Sequence, residues 1–242
     1  MNILITAGGT REDIDSVRGI ANYSTGQLGS QIANRFIQGG NKVTYICGEG
    51  AVFPDPNPCL KVTIIRNVTQ LQEKLEQALY STQYDCVIHS MAVSDYSPYG
   101  IASVDELDVQ LKDLKLTKPP SEKISSDSSF LVVVLKRQPK IIQRIKEIQP
   151  DTILIGFKLL SDGSEEELMQ AAYKLMGQSQ ADYVLANDLK NIYGDYHKAT
   201  LLSQDGVVGS GSSKKEIAQM IYDIMQKYKT TKRYRDGIRG QV

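Results

Sequence analysis

The sequence predicts an α/β fold: a three-layer, Rossmann-like sheet, mostly parallel with a mixed edge, carrying one long arm or lid insertion. Three observations lead there. Short apolar runs alternate with stretches of helical period, a glycine pair ends the first apolar run, and an Asp-Gly pair near the C-terminus separates two β-rich stretches. A single domain over residues 1–242 accommodates all of it.

The first strand covers residues 2–7 and runs into Gly8-Gly9, as a buried strand feeding a turn does. A helix over residues 25–37 puts Leu28, Ile32, Ala33, Phe36 and Ile37 on one face. Gly39-Gly40 ends it, and Ser24 with Gln27 has capping-box spacing at its start. Strands follow at residues 42–47 and 61–66, then a helix carrying Leu71, Leu75, Ala78 and Leu79, then a strand at 85–90 that breaks into a loop at Ala92. Strands at 152–157 and 183–187 flank a helix with Leu168, Ala171, Ala172, Leu175 and Met176, opened by a Ser164 and Glu167 capping box. Strand segments at 198–203 and 207–208 form a hairpin, because Asp205-Gly206 supplies the positive φ of a tight turn. The last helix begins near Ser213, with Glu216 completing a third box and Ile217, Met220, Ile221, Ile224 and Met225 as its buried stripe.

Residues 96–129 break the rhythm. Pro98, Pro119 and Pro120, many charges and little periodicity mark an arm or lid between the halves of the sheet, with a dimer interface as its second role. The basic segment 229–242, with Lys229, Lys232, Arg233, Arg235 and Arg239, reads as a solvated or frayed tail.

Lys+Arg and Asp+Glu both total 28, so no global field attracts nucleic acid or acidic membranes, and any anion site must be local. No apolar run approaches the ~18 residues of a membrane span, and no secretory signal follows Met1, so the expected location is cytoplasmic. Cys47, Cys59 and Cys86 contain no Cys-x-x-Cys pair and are expected to be buried structural thiols.

Candidate chemistry gathers where loops leave the strands. Gly8 and Gly9 would let backbone N–H groups approach a phosphate or carboxylate, and Thr10 adds a hydroxyl; a tight turn without ligand fits those residues equally well. Asn22, Ser24, Thr25 and Gly26 precede a helix N-terminus, whose free N–H groups and positive dipole end favour an anion; an ordinary cap by Ser24 is compatible with that. Asp95 is placed to bind nucleotide hydroxyls or magnesium, or to stabilise a turn. Lys123, late in the arm, could close over a triphosphate as pyrophosphate leaves. His89 reads as a satisfied strand residue.

These pieces form an order. Gly8-Gly9-Thr10-Arg11-Glu12, Asn22-x-Ser24-x-Gly26, Ala92-Val93-Ser94-Asp95-Tyr96, Glu122-Lys123-Ile124, Gly156-Phe157-Lys158 and Ala186-Asn187-Asp188 together resemble phosphopantothenate-cysteine ligase, also called phosphopantothenoylcysteine synthetase. The resemblance implies that a nucleoside triphosphate activates the carboxylate of 4'-phosphopantothenate as an acyl-nucleotide, with release of pyrophosphate, and that L-cysteine's amine then attacks. It implies Gly8, Gly9 and Thr10 in a nucleotide loop, Asn22 on the acyl intermediate, and Asp95, Lys123 and Phe157 on the nucleotide. Asn187 would line the base or ribose side, and Asn22 and Lys123 would be the catalytic pair. Magnesium is expected to be bound through the phosphates, with Asp95 the one candidate side chain. A homodimer, with the arm crossing the interface, is implied too.

Many bacterial members follow a flavin-containing decarboxylase; the chain begins at Met1 without one, which gives the expectation of a free-standing ligase. Ser125 and Ser126 stand where fused bacterial enzymes carry further lysines. CTP is the expected nucleotide and ATP the alternative. Two other readings compete. A nicotinamide-dependent oxidoreductase would need Glu49 to grip the ribose and lacks the Gly-x-Gly-x-x-Gly spacing. A non-enzymatic nucleotide-binding module would bind without turnover.

Overall fold

A computed structural model describes residues 1–105 and 115–239, with residues 231–239 described by backbone alone. The chain opens with β1 (Asn2–Ala7), passes through the short strands β2 (Arg11–Asp13) and β3 (Gly19–Ala21), and enters α1 (Gln27–Gln38). Strands β4 (Lys42–Gly48) and β5 (Leu60–Ile65), helix α2 (Val68–Ser81) and strand β6 (Cys86–His89) complete the first half. After β7 (Tyr96–Val104) and β8 (Phe130–Arg137) come α3 (Ile141–Ile148), β9 (Ile153–Leu160), α4 (Glu165–Ser179) and β10 (Tyr183–Tyr193). Strands β11 (Tyr196–Ser203) and β12 (Gly206–Ser213) and helix α5 (Lys214–Arg239) end it.

Eight strands form one sheet in the order β12-β11-β10-β9-β6-β1-β4-β5. The six strands from β5 to β10 run parallel, and β11 and β12 add antiparallel at one edge, as the apolar runs and the Asp-Gly signal required. Central strands are buried on both faces: all four residues of β6 are buried, which is why such strands read as continuous apolar runs. Alternation along β1 then splits the core. Ile3, Ile5 and Ala7 face α1 and α5 with Phe36 and Ile221, while Leu4 faces α2, α3 and α4 with Leu71, Leu75, Leu154 and Met176. Three layers result. Among the described residues, no helix is long and apolar enough to cross a membrane.

Several local expectations change. Helix α1 is not capped by Ser24: its N-cap is Gly26, in the left-handed region at φ 71°, and no side chain caps it. The backbone reverses at a residue that only glycine occupies cheaply, so the Ser24 and Gln27 box never forms. The α4 box does form, with Glu167 N–H donating to Ser164 Oγ at 3.1 Å and Ser164 N–H to the Glu167 carboxylate at 2.8 Å. At α5, Ser213 Oγ accepts from Glu216 N–H, but Glu216 accepts from Ser212 rather than Ser213. Cys47 and Cys86 are buried, and burial pushes the Cys47 thiol up to about 11; Cys59, in the turn before β5, is exposed, contrary to expectation.

The arm is more regular than its sequence suggests. Its first residues form β7, which pairs antiparallel with β8 just beyond the expected boundary, from Tyr96 opposite Arg137 to Val104 opposite Phe130. This two-stranded unit is half-exposed and irregular in register at Pro98 and Gly100, so it lacks the clean alternation that reveals a strand. Residues 106–114 of the arm lie outside the described residues. The backbone from Lys229 continues in α5 to Arg239 instead of forming a separate tail, and the side chains of Lys232, Arg233, Arg235 and Arg239 lie outside the described residues.

Close packing at the strand ends gives a first testable consequence. A Cβ at Gly48 would collide with the Gly9 carbonyl oxygen, a backbone atom that cannot swing away. Gly48→Ala is therefore expected to cost about 3 kcal/mol, the upper part of the usual overpacking range. Urea unfolding measures it, and an unchanged midpoint would refute the packing argument.

Candidate active site

In the sheet order, β1 lies between β4 and β6, so the chain reverses its direction of crossover at the β1/β6 pair. Open α/β sheets place ligands outside the carboxyl ends of strands at such a point. Here the two loops that emerge are bonded together: Ala92 N–H donates to the Gly8 carbonyl at 2.8 Å, and Thr10 N–H to the Ala92 carbonyl at 3.1 Å. The Thr10 hydroxyl donates to Ser94 Oγ at 3.0 Å and accepts from Ser94 N–H at 2.8 Å, fully buried. Gly8, with φ at 78°, and Gly9 thus form the shelf beneath the site, and Thr10 is the bolt that holds it.

Beside this shelf opens a cavity of about 620 Å³. One wall is Asn22 to Leu28, the floor is Ser90, Met91 and Ala92, and the far side is Phe157, Leu159, Asn187, His197 and Lys214. Asn22 leaves β3 directly, and its Nδ2 donates to the Val93 carbonyl at 3.2 Å. Because Gly26 starts α1 without a side-chain cap, the first-turn N–H groups are left for a ligand; Gln27 N–H reaches Thr25 Oγ1 only at 3.4 Å. An uncapped helix N-terminus opening on a cavity attracts a phosphate or carboxylate. The missing Ser24 cap therefore strengthens the anion reading.

The far side was only partly legible. Asn187 is buried, with Nδ2 3.2 Å from His197 Nε2. Burial, and then the nearby Lys214 cation, lower the His197 pKa to about 4, so the imidazole is neutral near pH 7. Lys214 Nζ donates to the Gly194 carbonyl at 3.3 Å and brings positive charge to the wall. Neither His197 nor Lys214 was a sequence candidate. Both come from the antiparallel edge and the start of α5, and only the strand order brings them to this cavity. His89, by contrast, is a satisfied strand residue as expected, with Nδ1 2.8 Å from Thr6 Oγ1.

Asn22, Ser24, Thr25, Gly26, Phe157 and Asn187 are thus brought together, and Gly8, Gly9 and Thr10 lie underneath. Asp95 and Lys123 do not line the cavity. Asp95 is exposed and accepts from Lys140 Nζ at 2.5 Å, and Lys123 is exposed on the arm. Glu49, the ribose-gripping candidate of the nicotinamide reading, is engaged by Arg66 at 2.8 Å. Among the described residues, no group of three or more His, Cys, Asp or Glu side chains could hold a metal ion.

The sequence pattern of the DNA/pantothenate metabolism flavoprotein C-terminal domain matches residues 1–106 and 108–228. The chain belongs to this family. A solved DNA/pantothenate metabolism flavoprotein from Streptococcus pneumoniae is 38% identical, with a TM-score of 0.86 over 94% of this chain and 99% of its own. The coenzyme A biosynthesis bifunctional protein CoaBC of Thermococcus kodakarensis is 34% identical over 226 residues, which are 93% of this chain and 51% of that protein. The chain spans about half the length of the bifunctional relatives it matches. A Cab2 variant solved in complex with phosphopantothenate-cysteine, 18% identical with a TM-score of 0.72 over 96% of this chain and 88% of its own, shares the fold. The solved relatives share the sheet architecture, and the comparisons give the nicotinamide and binding-module readings no support.

Proposed function

We propose that this chain catalyses the ligase reaction of coenzyme A biosynthesis, joining 4'-phosphopantothenate to L-cysteine through an acyl-nucleotide. The observation that carries this reading is the cavity with Asn22 and an uncapped helix N-terminus on one wall and Phe157, Asn187 and Lys214 on the other. A neutral protein with such a local cradle suits two anionic substrates. The kinship with CoaBC and the Cab2 complex supports the same substrates.

In the first step the substrate carboxylate attacks the α-phosphorus and pyrophosphate leaves; in the second the cysteine amine displaces the nucleoside monophosphate. First-turn N–H groups of α1 hold an anionic group, Asn22 orients the acyl oxygen, and Asn187 and Phe157 seat the nucleotide, CTP in preference to ATP. Gly8, Gly9 and Thr10 keep that wall rigid, with Ser24 and Thr25 lending hydroxyls. Lys123 approaches from the arm to neutralise the leaving pyrophosphate, and Asp95 meets the nucleotide as the arm closes. Magnesium fits as an ion carried on the triphosphate, a mode that needs few protein ligands and offsets phosphate charge. The exposed apolar side chains of the β7–β8 arm, Tyr99, Phe130 and Leu135 among them, support a homodimer through this element.

Pyrophosphate release with 4'-phosphopantothenate, L-cysteine, magnesium and either CTP or ATP tests the assignment. Release is expected to be faster with CTP. No release with either nucleotide would sink it.

A further inference from the structure

The hairpin of β2 and β3 joins two places that the proposed reaction uses. Its incoming strand is pinned by Arg66, which donates to both Asp13 carboxylate oxygens at 2.8 Å, and by Glu12, which accepts from Val68 N–H at 2.8 Å. Its outgoing strand delivers Asn22 directly to the cavity wall. At the tip, the Asp15 side chain is fully buried and accepts from Val17 N–H, Arg18 N–H and the Arg18 guanidinium at 2.6 to 2.9 Å.

The same two side chains also reach across the sequence. Ile124 N–H donates to Asp15 Oδ2 at 3.1 Å, and Arg18 Nη2 donates to the Ile124 carbonyl at 3.0 Å. Both backbone groups of one arm residue are therefore held by an ion pair at the hairpin tip. Charge-assisted bonds of this kind are stronger than neutral ones. Ile124 is half-buried there, and its neighbour Lys123 is exposed, so the clamp grips the chain beside the lysine and leaves the ammonium free to move.

We propose that Asp15 and Arg18 are positioning residues that clamp Ile124 and so fix where Lys123 starts relative to Asn22. The inference rests on the ligase reading for the role of Lys123. The clamp itself rests on six bonds, four within the hairpin tip and two from the tip to Ile124. Its consequence is that a rigid strut, with Asn22 at one end and the arm at the other, sets the geometry of the first chemical step.

The test combines Asp15→Ala and Arg18→Ala, each alone and each with Lys123→Ala. Hydrogen exchange of the Ile124 amide is expected to rise at least tenfold in the Asp15 variant, whose side chain accepts that N–H. Single-turnover acyl-nucleotide formation should slow at least tenfold in both single variants. In the Lys123→Ala background neither should slow it further, because residues that act through one another are not additive. If Asp15→Ala fails to fold, Arg18→Ala, which removes one of the two backbone grips, supplies the same cycle. Equal slowing with and without Lys123 would overturn the positioning role, as would unchanged rates in the single variants. Absence of turnover in the unaltered chain would instead overturn the ligase reading and this inference with it, while Ile124 exchange would still report the clamp.

Discussion

Lys123→Ala is expected to slow formation of the acyl-nucleotide by roughly 10²- to 10³-fold, the usual cost of removing one preorganised group that stabilises transition-state charge. Negative charge accumulates as pyrophosphate departs, and the described cavity wall offers one cation of its own, Lys214, half-occupied by the Gly194 carbonyl. On the proposed reading Lys123 brings a second side-chain cation from the arm. Because Lys123 is exposed, folding stability should change by no more than about 0.5 kcal/mol. Rapid-quench measurement of single turnover, paired with a urea titration, separates the two quantities. An undiminished single-turnover rate would remove Lys123 from the reaction.

The second large effect is on stability as a function of pH. Burial lowers the pKa of His89 from 6.5 to about 4, and burial with Lys214 does the same to His197. Below pH 6.5 the unfolded chain takes up protons at these positions while the folded chain does not. Stability is then greater above pH 6.5 and is lost as pH falls toward about 4. For His89 alone the slope is about 1.4 kcal/mol per pH unit across that window; His197 adds in the same direction. Urea midpoints at pH 7, 6 and 5 should fall steadily, and His89→Gln should flatten the curve. A midpoint that holds constant from pH 7 to 5 would contradict the buried neutral imidazoles.

The parallel sheet was legible because burial on both faces writes itself as uninterrupted apolar runs, and β1, β4, β6 and β9 were placed within a few residues. The arm was not, because a half-exposed two-stranded unit carries neither that run nor a strict alternation. Helix α1 shows a different failure. Ser24 is a good capping residue, but the left-handed Gly26 sets where the helix starts, and side-chain preference yields to backbone conformation. Short strands β2 and β3 left no periodic trace, though the turn between them holds the Ile124 clamp and β3 leads directly into Asn22. On the site, one wall was readable since Asn22, Ser24, Thr25 and Gly26 are contiguous. His197 and Lys214 were not, because nothing local distinguishes them from an ordinary strand histidine and surface lysine.

The packing of α5 on α1 has a consequence for how the molecule is made. Tyr222 sits edge-on to Phe36 at 5.4 Å and beneath the Arg35 guanidinium at 3.5 Å, so the final helix closes onto the first. Lys214, the opening residue of that helix, and His197, on β11, complete the far side of the cavity. During synthesis on the ribosome, which proceeds from the N-terminus at about 5–20 residues per second, Asn22 and the glycine shelf emerge before these residues. They wait for Lys214 before the opposite wall is complete. A chain truncated before Lys214 therefore holds an incomplete cradle.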